Sequence, residues 1–263
     1  MRDPLLPLLP GPQDADRPWL ICYGIDERVE LTGHVLSMWL AKIAGFVTSE
    51  SVPGDGVHVA LPPHWRSVAW ACGTWLAGRS VLLGSNEEIR TAGLIPELSV
   101  AFTPESLYDE AEAQALVPPA SLALRWPEEL PALVLDGAAD LMHYPDRFTP
   151  VSTAADSVCL TDLTSEAAAP AAPGAPGGTA PSGGRLTVLT RAQLAARVEA
   201  ADAPAGSGRH SASRAVLVRS PDTAQMLQEV LVAWRTGRTA VVLTPEAGDD
   251  VAAAAIRQEG ITA

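Results

Sequence analysis

Small and hydroxyl-bearing residues gather between Val158 and Arg191, where the chain reads VCLTDLTSEAAAPAAPGAPGGTAPSGGRLTVLTR: a strand, a low-complexity Ala/Pro/Gly run, a second strand and a helix start. A Gly/Ser/Thr-rich turn between two strands lets backbone amides point at a phosphate without steric cost. Here the turn is stretched by prolines and alanines, which offer no side-chain donor and no fixed nest. Such a turn binds nucleotide in a degraded way or not at all. His143, Tyr144, Asp146 and Arg147 carry acid–base groups close together in sequence, but no group is in view to orient them, and they read as a polar loop. His58 and His64 flank a strand end without the spacing of a metal site, and read as surface or capping residues. The chain has no G-x-S-x-G, G-x-G-x-x-G or G-x-x-x-x-G-K-[ST], so serine hydrolase, dinucleotide and Walker readings lack their motif.

The elements around these residues alternate between strand and helix. Trp19 to Tyr23 and Arg28 to Leu31 read as a hairpin around Gly24-Ile25-Asp26-Glu27. Thr32 offers a cap to a helix whose apolar stripe is Leu36, Trp39, Leu40, Ile43, Phe46 and Val47. Val57 to Leu61, a helix carrying Trp65, Val68, Cys72 and Trp75, and Arg79 to Leu83 form the strand–helix–strand crossover of a parallel sheet. A short helix over 87–92 and a strand over 98–102 follow, and the proline-punctuated stretch 103–150 is assigned no element. Leu186 to Leu189 is a strand, and Thr190 with Gln193 makes a capping box for the next helix. Ala215 to Val218, a helix capped by Ser220 with Pro221 at its first position, Thr239 to Leu243 and a helix opened by Asp249 and Asp250 complete the pattern.

The fold class is therefore α/β: layered, largely parallel sheets with helices on both faces. The 263 residues divide into a mobile N-terminal segment (1–18), a first α/β lobe (19–150) and a second (151–263) with a flexible loop at 167–184. A net charge of −13 opposes nucleic acid and anionic membrane as partners. No apolar stretch is long enough for a membrane span, and the proline-broken N-terminus does not fit a signal peptide, so the expected location is the cytoplasm. Cys22, Cys72 and Cys159 sit in apolar segments as core residues, and the tryptophans on helical faces read as core. Lys42 is the only lysine, so no mechanism can call on a lysine elsewhere.

In this order the pieces resemble the N-terminal domain of the AMP-forming adenylate superfamily, which includes acyl-CoA synthetases. GDGVHVALPPHWRSVAWACGTWLAGRSVLL is similar to the family's G-D-R-V-A-L-x-L-P-N-S-x-E-F-V-x-A-x-L-G-x-L-x-A-G-A-V-x-V-P-L, and RLTVLTRAQLAARV to K-G-V-x-L-T-H-x-N-L-x-A. RVELTGHVLSMWLAKIAGFV resembles the opening helix, and VLVAWRTGRTAVVLTPEAGDDVAAAAIRQEGITA the segment L-L-x-G-A-T-V-V-L-x-x-x-F-D-P.

The resemblance implies that ATP phosphates would meet a T-S-G-T-T-G-x-P-K-G loop. This chain offers Thr164 and Ser165, then Glu166, a carboxylate where phosphate would sit. Gly177, Gly178 and Thr179, with Ser182, Gly183 and Gly184, mimic the turn; Arg185 falls where the signature lysine would be, and Leu186 replaces the next glycine. The adenine segment, ribose-binding aspartate and catalytic lysine of the family would fall past residue 263, and Tyr23-Gly24-Ile25-Asp26-Glu27 reads as a turn rather than their counterpart. The resemblance thus implies a truncated pseudoenzyme: a binding or regulatory scaffold with no catalytic residue, no metal and no required cofactor. ATP or AMP and a protein partner stay open, and so does the oligomeric state. The alternatives are one half of a split ligase and a nucleotide or acyl-adenylate binder without turnover.

Overall fold

Apolar residues on either side of a tight turn form the first hairpin. The computed structural model describes residues 3–14, 17–164, 186–202 and 213–262. In it β1 (Pro18–Tyr23) and β2 (Arg28–Thr32) pair antiparallel, and the Gly24 amide donates to the Glu27 carbonyl at 3.0 Å. Thr32 caps α1 (Gly33–Glu50), its hydroxyl accepting from the Val35 amide at 3.2 Å. β3 (Val57–Ala60), α2 (Trp65–Leu76) and β4 (Val81–Leu83) form the expected parallel crossover. α3 (Asn86–Ala92) and β5 (Leu98–Ala101) follow. Within 103–150, two strands that the sequence did not announce, β6 (Gln114–Leu116) and β7 (Leu135–Asp136), extend the sheet in parallel. Both are too short to show a period.

β8 (Val158–Asp162) pairs antiparallel with β9 (Thr187–Thr190). The expected capping box opens α4 (Arg191–Asp202): the Thr190 amide donates to Gln193 Oε1 at 2.9 Å and the Gln193 amide to Thr190 Oγ1 at 3.2 Å. β10 (Ala215–Val218), α5 (Thr223–Arg235), β11 (Thr239–Leu243) and α6 (Asp249–Gln258) complete the order. The cap of α5 is Asp222 rather than Ser220. Asp222 Oδ1 accepts from the Gln225 amide at 2.7 Å, while the Ser220 hydroxyl donates to Glu229. The helix starts two residues later than the Ser220–Pro221 pattern predicts, where a carboxylate both accepts from an amide and complements the positive end of the helix dipole.

The strands form two sheets, ordered β10-β11-β1-β2 and β7-β6-β5-β3-β4-β8-β9, parallel except at the edge strands β2 and β9. Each sheet draws strands from both sides of residue 150. α1 and α2 pack on each other, as do α4 and α5, and together they fill the space between the sheets. Ile89 of α3 packs with Leu82 on one outer face, and Ala252 and Ala255 of α6 pack with Val241 and Leu243 on the other.

Helix α2 is buried from Trp65 through Trp75 without a break. A Cβ at Gly73 would lie 2.5 Å from Ile43 Cγ2, which sets how closely α1 and α2 approach. The Trp75 indole donates to the Cys159 carbonyl at 2.7 Å, tying the helix to β8. Among the described residues of the N-terminal segment, Leu5 and Leu9 are in the core, and Asp3 pairs with the fully buried Arg191 at 2.5 Å. Arg191 Nη2 donates in turn to the Trp75 carbonyl at 3.0 Å, at the end of α2. Breaking a buried pair leaves an uncompensated charge, so Asp3→Ala is expected to lower the unfolding free energy by about 3–5 kcal/mol in urea denaturation. Adding Arg191→Met to it should recover most of that loss.

Candidate functional site

In the larger sheet the strand order reverses at β3, which lies between β4 and β5. In open α/β sheets ligands bind outside the carboxyl ends of the strands at such a point. A cleft of about 640 Å3 lies there, walled by the residues after β3 and β4, by Glu105 after β5, by Thr164 after β8 and by Asp222 at the head of α5.

Thr164 is the one residue of the sequence-derived phosphate site within the described residues; Ser165, Gly177, Gly178, Thr179, Ser182, Gly183, Gly184 and Arg185 lie outside them. Its hydroxyl is committed. Asp162, buried at the end of β8, accepts from the Thr164 amide at 3.0 Å and from its Oγ1 at 2.6 Å. The charged side chains among the described lining residues are Glu87, Glu105 and Asp222. The first turn of α5, which could attract an anion, already carries the Asp222 carboxylate. A phosphate entering this cleft meets like charge on the described walls.

A second cavity of about 340 Å3 shares Pro62 and Pro63 with the cleft and is bordered by Asp26, Glu27, His64, Phe102 and Thr244. His64 is the N-cap of α2. Its Nδ1 accepts from the Arg66 amide at 3.1 Å, which places the imidazole hydrogen on Nε2. Nε2 faces the Ser121 hydroxyl at 3.3 Å, and that hydroxyl donates to Glu27 Oε1 at 2.6 Å. The residue types are those of a nucleophilic triad, but the protons run the other way: imidazole donates to serine, and serine donates to carboxylate. The serine proton faces a carboxylate, a weaker base than imidazole, and the serine-to-imidazole donation of such a triad is not made. The trio clamps the 117–123 loop to the hairpin.

Arg66 strengthens the clamp. Its buried guanidinium lies 4.6 Å from the Trp65 ring centroid and donates through Nη2 to the carbonyls of Ala120, Ser121 and Ala123. Burial pulls its pKa down to about 10, against the pull of Glu27 and Asp136. Neither Ser121 nor the role of Arg66 carries a sequence signal, because their partners are distant in the chain.

The other sequence candidates are structural. His58 is fully buried rather than at the surface, with Nδ1 3.0 Å from Ser99 Oγ and Nε2 3.0 Å from the Gly84 carbonyl. Because Tyr108 N donates to Ser99 Oγ, the serine hydrogen is free for Nδ1 and His58 is held between β5 and the turn after β4. The His143 to Arg147 segment does not converge. The Tyr144 hydroxyl donates to Glu50, and Lys42 binds both the Tyr144 carbonyl at 2.7 Å and Asp146 at 2.6 Å, stapling the loop to α1. Burial and Glu50 push the Tyr144 hydroxyl up to about 12. All three cysteines are buried and free; burial raises Cys22 and Cys159 to about 12 and Cys72 further. Among the described residues no group of three His, Cys, Asp or Glu could hold a metal ion, and no helix is long and apolar enough to cross a membrane.

No family model matches the chain. A "TIGR03089 family protein" of Mycobacterium tuberculosis (strain ATCC 25618 / H37Rv) is 27% identical over 129 residues, which cover 47% of this chain and 51% of that protein. Solved structures give a stronger likeness. An acyl-CoA synthetase of Brucella canis superposes with a TM-score of 0.74 at 17% identity, covering 100% of this chain and 46% of the synthetase. Acetoacetyl-CoA synthetase from Streptomyces lividans gives 0.68 at 15% identity, over 93% and 38%. ATP-bound MatB from Rhodopseudomonas palustris gives 0.70 at 11% identity, over 98% and 48%. The chain thus spans about half the length of the proteins it matches, and its architecture is that of the N-terminal domain of acyl-CoA synthetases.

The clamp has a pH signature. Burial first, and then the Arg66 charge, lower the His64 pKa to about 4, although Glu27 opposes them. Unfolded chain binds a proton near pH 6.5 that folded chain does not, so His64 contributes stability above that value and loses it as pH falls towards 4. Replacing His64 with Asn keeps a cap acceptor and removes the titration. The difference in melting temperature between pH 7 and pH 4.5 is expected to be smaller in H64N than in the parent, by the equivalent of roughly 2–3 kcal/mol.

Proposed function

We propose that this chain is a non-catalytic relative of acyl-CoA synthetases that keeps their sheet scaffold and serves as a binding or regulatory partner in the cytoplasm. The acidic lining of the cleft carries this reading. Adenylate formation gathers negative charge on a transferring phosphate, and fixed cations or dipoles aimed at that charge are usually the largest catalytic contribution. Here Glu87, Glu105 and Asp222 face the space where phosphates would lie, and the Thr164 hydroxyl is donated to Asp162. Glu166 follows in sequence, and Arg185 is the single cation between Val158 and Thr190.

Exposed apolar side chains support a protein partner. Leu122, Leu124 and Leu133 stand out from the stretch between β6 and β7, where a purely solvated loop would be polar. The net charge of −13 disfavours nucleic acid as that partner, and three free, buried cysteines suit a reducing compartment. Incubation with ATP, magnesium and a panel of carboxylic acids is expected to give no ATP–pyrophosphate exchange above the buffer rate. Exchange that rises with protein concentration overturns the proposal.

A further inference from the structure

Both cavities lie at the carboxyl ends of the strands; the amino ends of the smaller sheet have a different chemistry. Its neighbouring parallel strands β10, β11 and β1 are each entered from an arginine: Arg214 precedes Ala215, Arg238 precedes Thr239 and Arg17 precedes Pro18. Ala215 pairs with Thr239, so Arg214 and Arg238 stand side by side one residue earlier, on strands about 4.8 Å apart. Arg17 reaches the same end by donating through Nη1 to the carbonyl of Gly237, the residue before Arg238, and its guanidinium lies 4.9 Å from the Trp19 ring centroid. Arg238 donates through Nη2 to the Ala215 carbonyl at 3.1 Å, and its Nη1 makes no hydrogen bond. Arg214 is exposed. None of the three forms an ion pair with a described residue, and Glu199 of α4 is taken by Arg235 at 2.9 Å. Like charges side by side on neighbouring strands are destabilising, and a chain of net charge −13 has carboxylates to spare for pairing them.

We infer that this arginine row is the docking site for an acidic segment of a partner polypeptide. Guanidinium forks match carboxylates, and two of the three are already held in place by a backbone carbonyl, so less side-chain freedom is lost on binding. Carboxylates recur every second residue of an extended segment at about 6.6 Å, or three to four residues apart on a helix at about 5–6 Å, which suits arginines on adjacent strands. A compact phosphate is held instead by donors that converge on one point, such as a nest of amides or a helix N-terminus. Here the arginines stand in file, and the helix end beside them is the carboxyl end of α5. Elsewhere the surplus of acidic residues repels such a segment, which confines it to this end. The inference names the chemistry of the proposed partner and rests on that reading, but it uses none of the cleft residues, so peptide binding and pyrophosphate exchange are decided separately.

Fluorescence anisotropy of labelled hexaglutamate with the intact protein tests it, with hexaglutamine as the uncharged counterpart and inorganic pyrophosphate as the compact anion. Hexaglutamate is expected to bind saturably at low ionic strength and more weakly as salt is raised, while hexaglutamine does not bind. Arg214→Ala should weaken binding by about three- to fivefold without lowering the melting temperature, because that side chain has no partner in the fold. Arg17→Gln should act in the same direction. Arg90→Ala, on α3 and paired with Asp109, should leave binding unchanged. The absence of saturable binding, equal binding of hexaglutamine, undiminished affinity in both Arg214→Ala and Arg17→Gln, or an equal loss in Arg90→Ala overturns the inference. So does displacement of the labelled peptide by pyrophosphate at a lower concentration than by unlabelled hexaglutamate, which would mark a phosphate site.

Discussion

Helix α2 has no solvent face, and the rest of the molecule is arranged around that fact. A helix apolar on one side needs one partner, but one buried from Trp65 to Trp75 must be covered all round. Its cover is supplied by α1, pressed close at Gly73, by β3 and β4 of the larger sheet, and by β1 of the smaller one. The two sheets therefore share one central helical layer and one continuous core. Both ends of the helix also carry polar groups out of reach of water. Arg191, balanced by Asp3, donates to the Trp75 carbonyl, and at the other end His64 caps the first turn while Arg66 is stacked on tryptophan and donates to three loop carbonyls.

That arrangement decides where ligands could bind. The loop entering α2, with Pro62, Pro63 and His64, lies at the carboxyl ends of the strands and walls both cavities. Such a position is the usual ligand site of an open α/β sheet, but the fold fixes only the place. The chemistry comes from the loops, and here the described loops bring carboxylates. On this architecture the described walls of the larger cleft carry Glu87, Glu105 and Asp222 and no Lys or Arg.

Much of this was legible in the sequence wherever a local pattern has a local cause. Helical spacing located α1, α2 and α5, the Thr190–Gln193 box located the start of α4, and the Val57 to Leu83 crossover announced a parallel sheet. What stayed hidden depends on residues far apart. Asp3 and Arg191 meet across nearly two hundred positions, which ties residue 3 to the start of α4. β6 and β7 exist only because neighbouring strands offer them edges. The Ser121 and Glu27 halves of the His64 clamp carry no motif at all. The acidity of the crevice is likewise a property of which turns meet, and no single segment reveals it.

The central claim is that this crevice does not hold a nucleotide. Anything that binds the folded state alone raises its melting temperature in proportion to the logarithm of ligand concentration over Kd. The most direct measurement is therefore thermal unfolding of the intact protein with ATP and magnesium, with AMP, and with a non-hydrolysable acyl-AMP analogue, each titrated into the millimolar range. The account predicts a melting temperature that does not move with any of them. A saturable rise that tracks nucleotide concentration would contradict it.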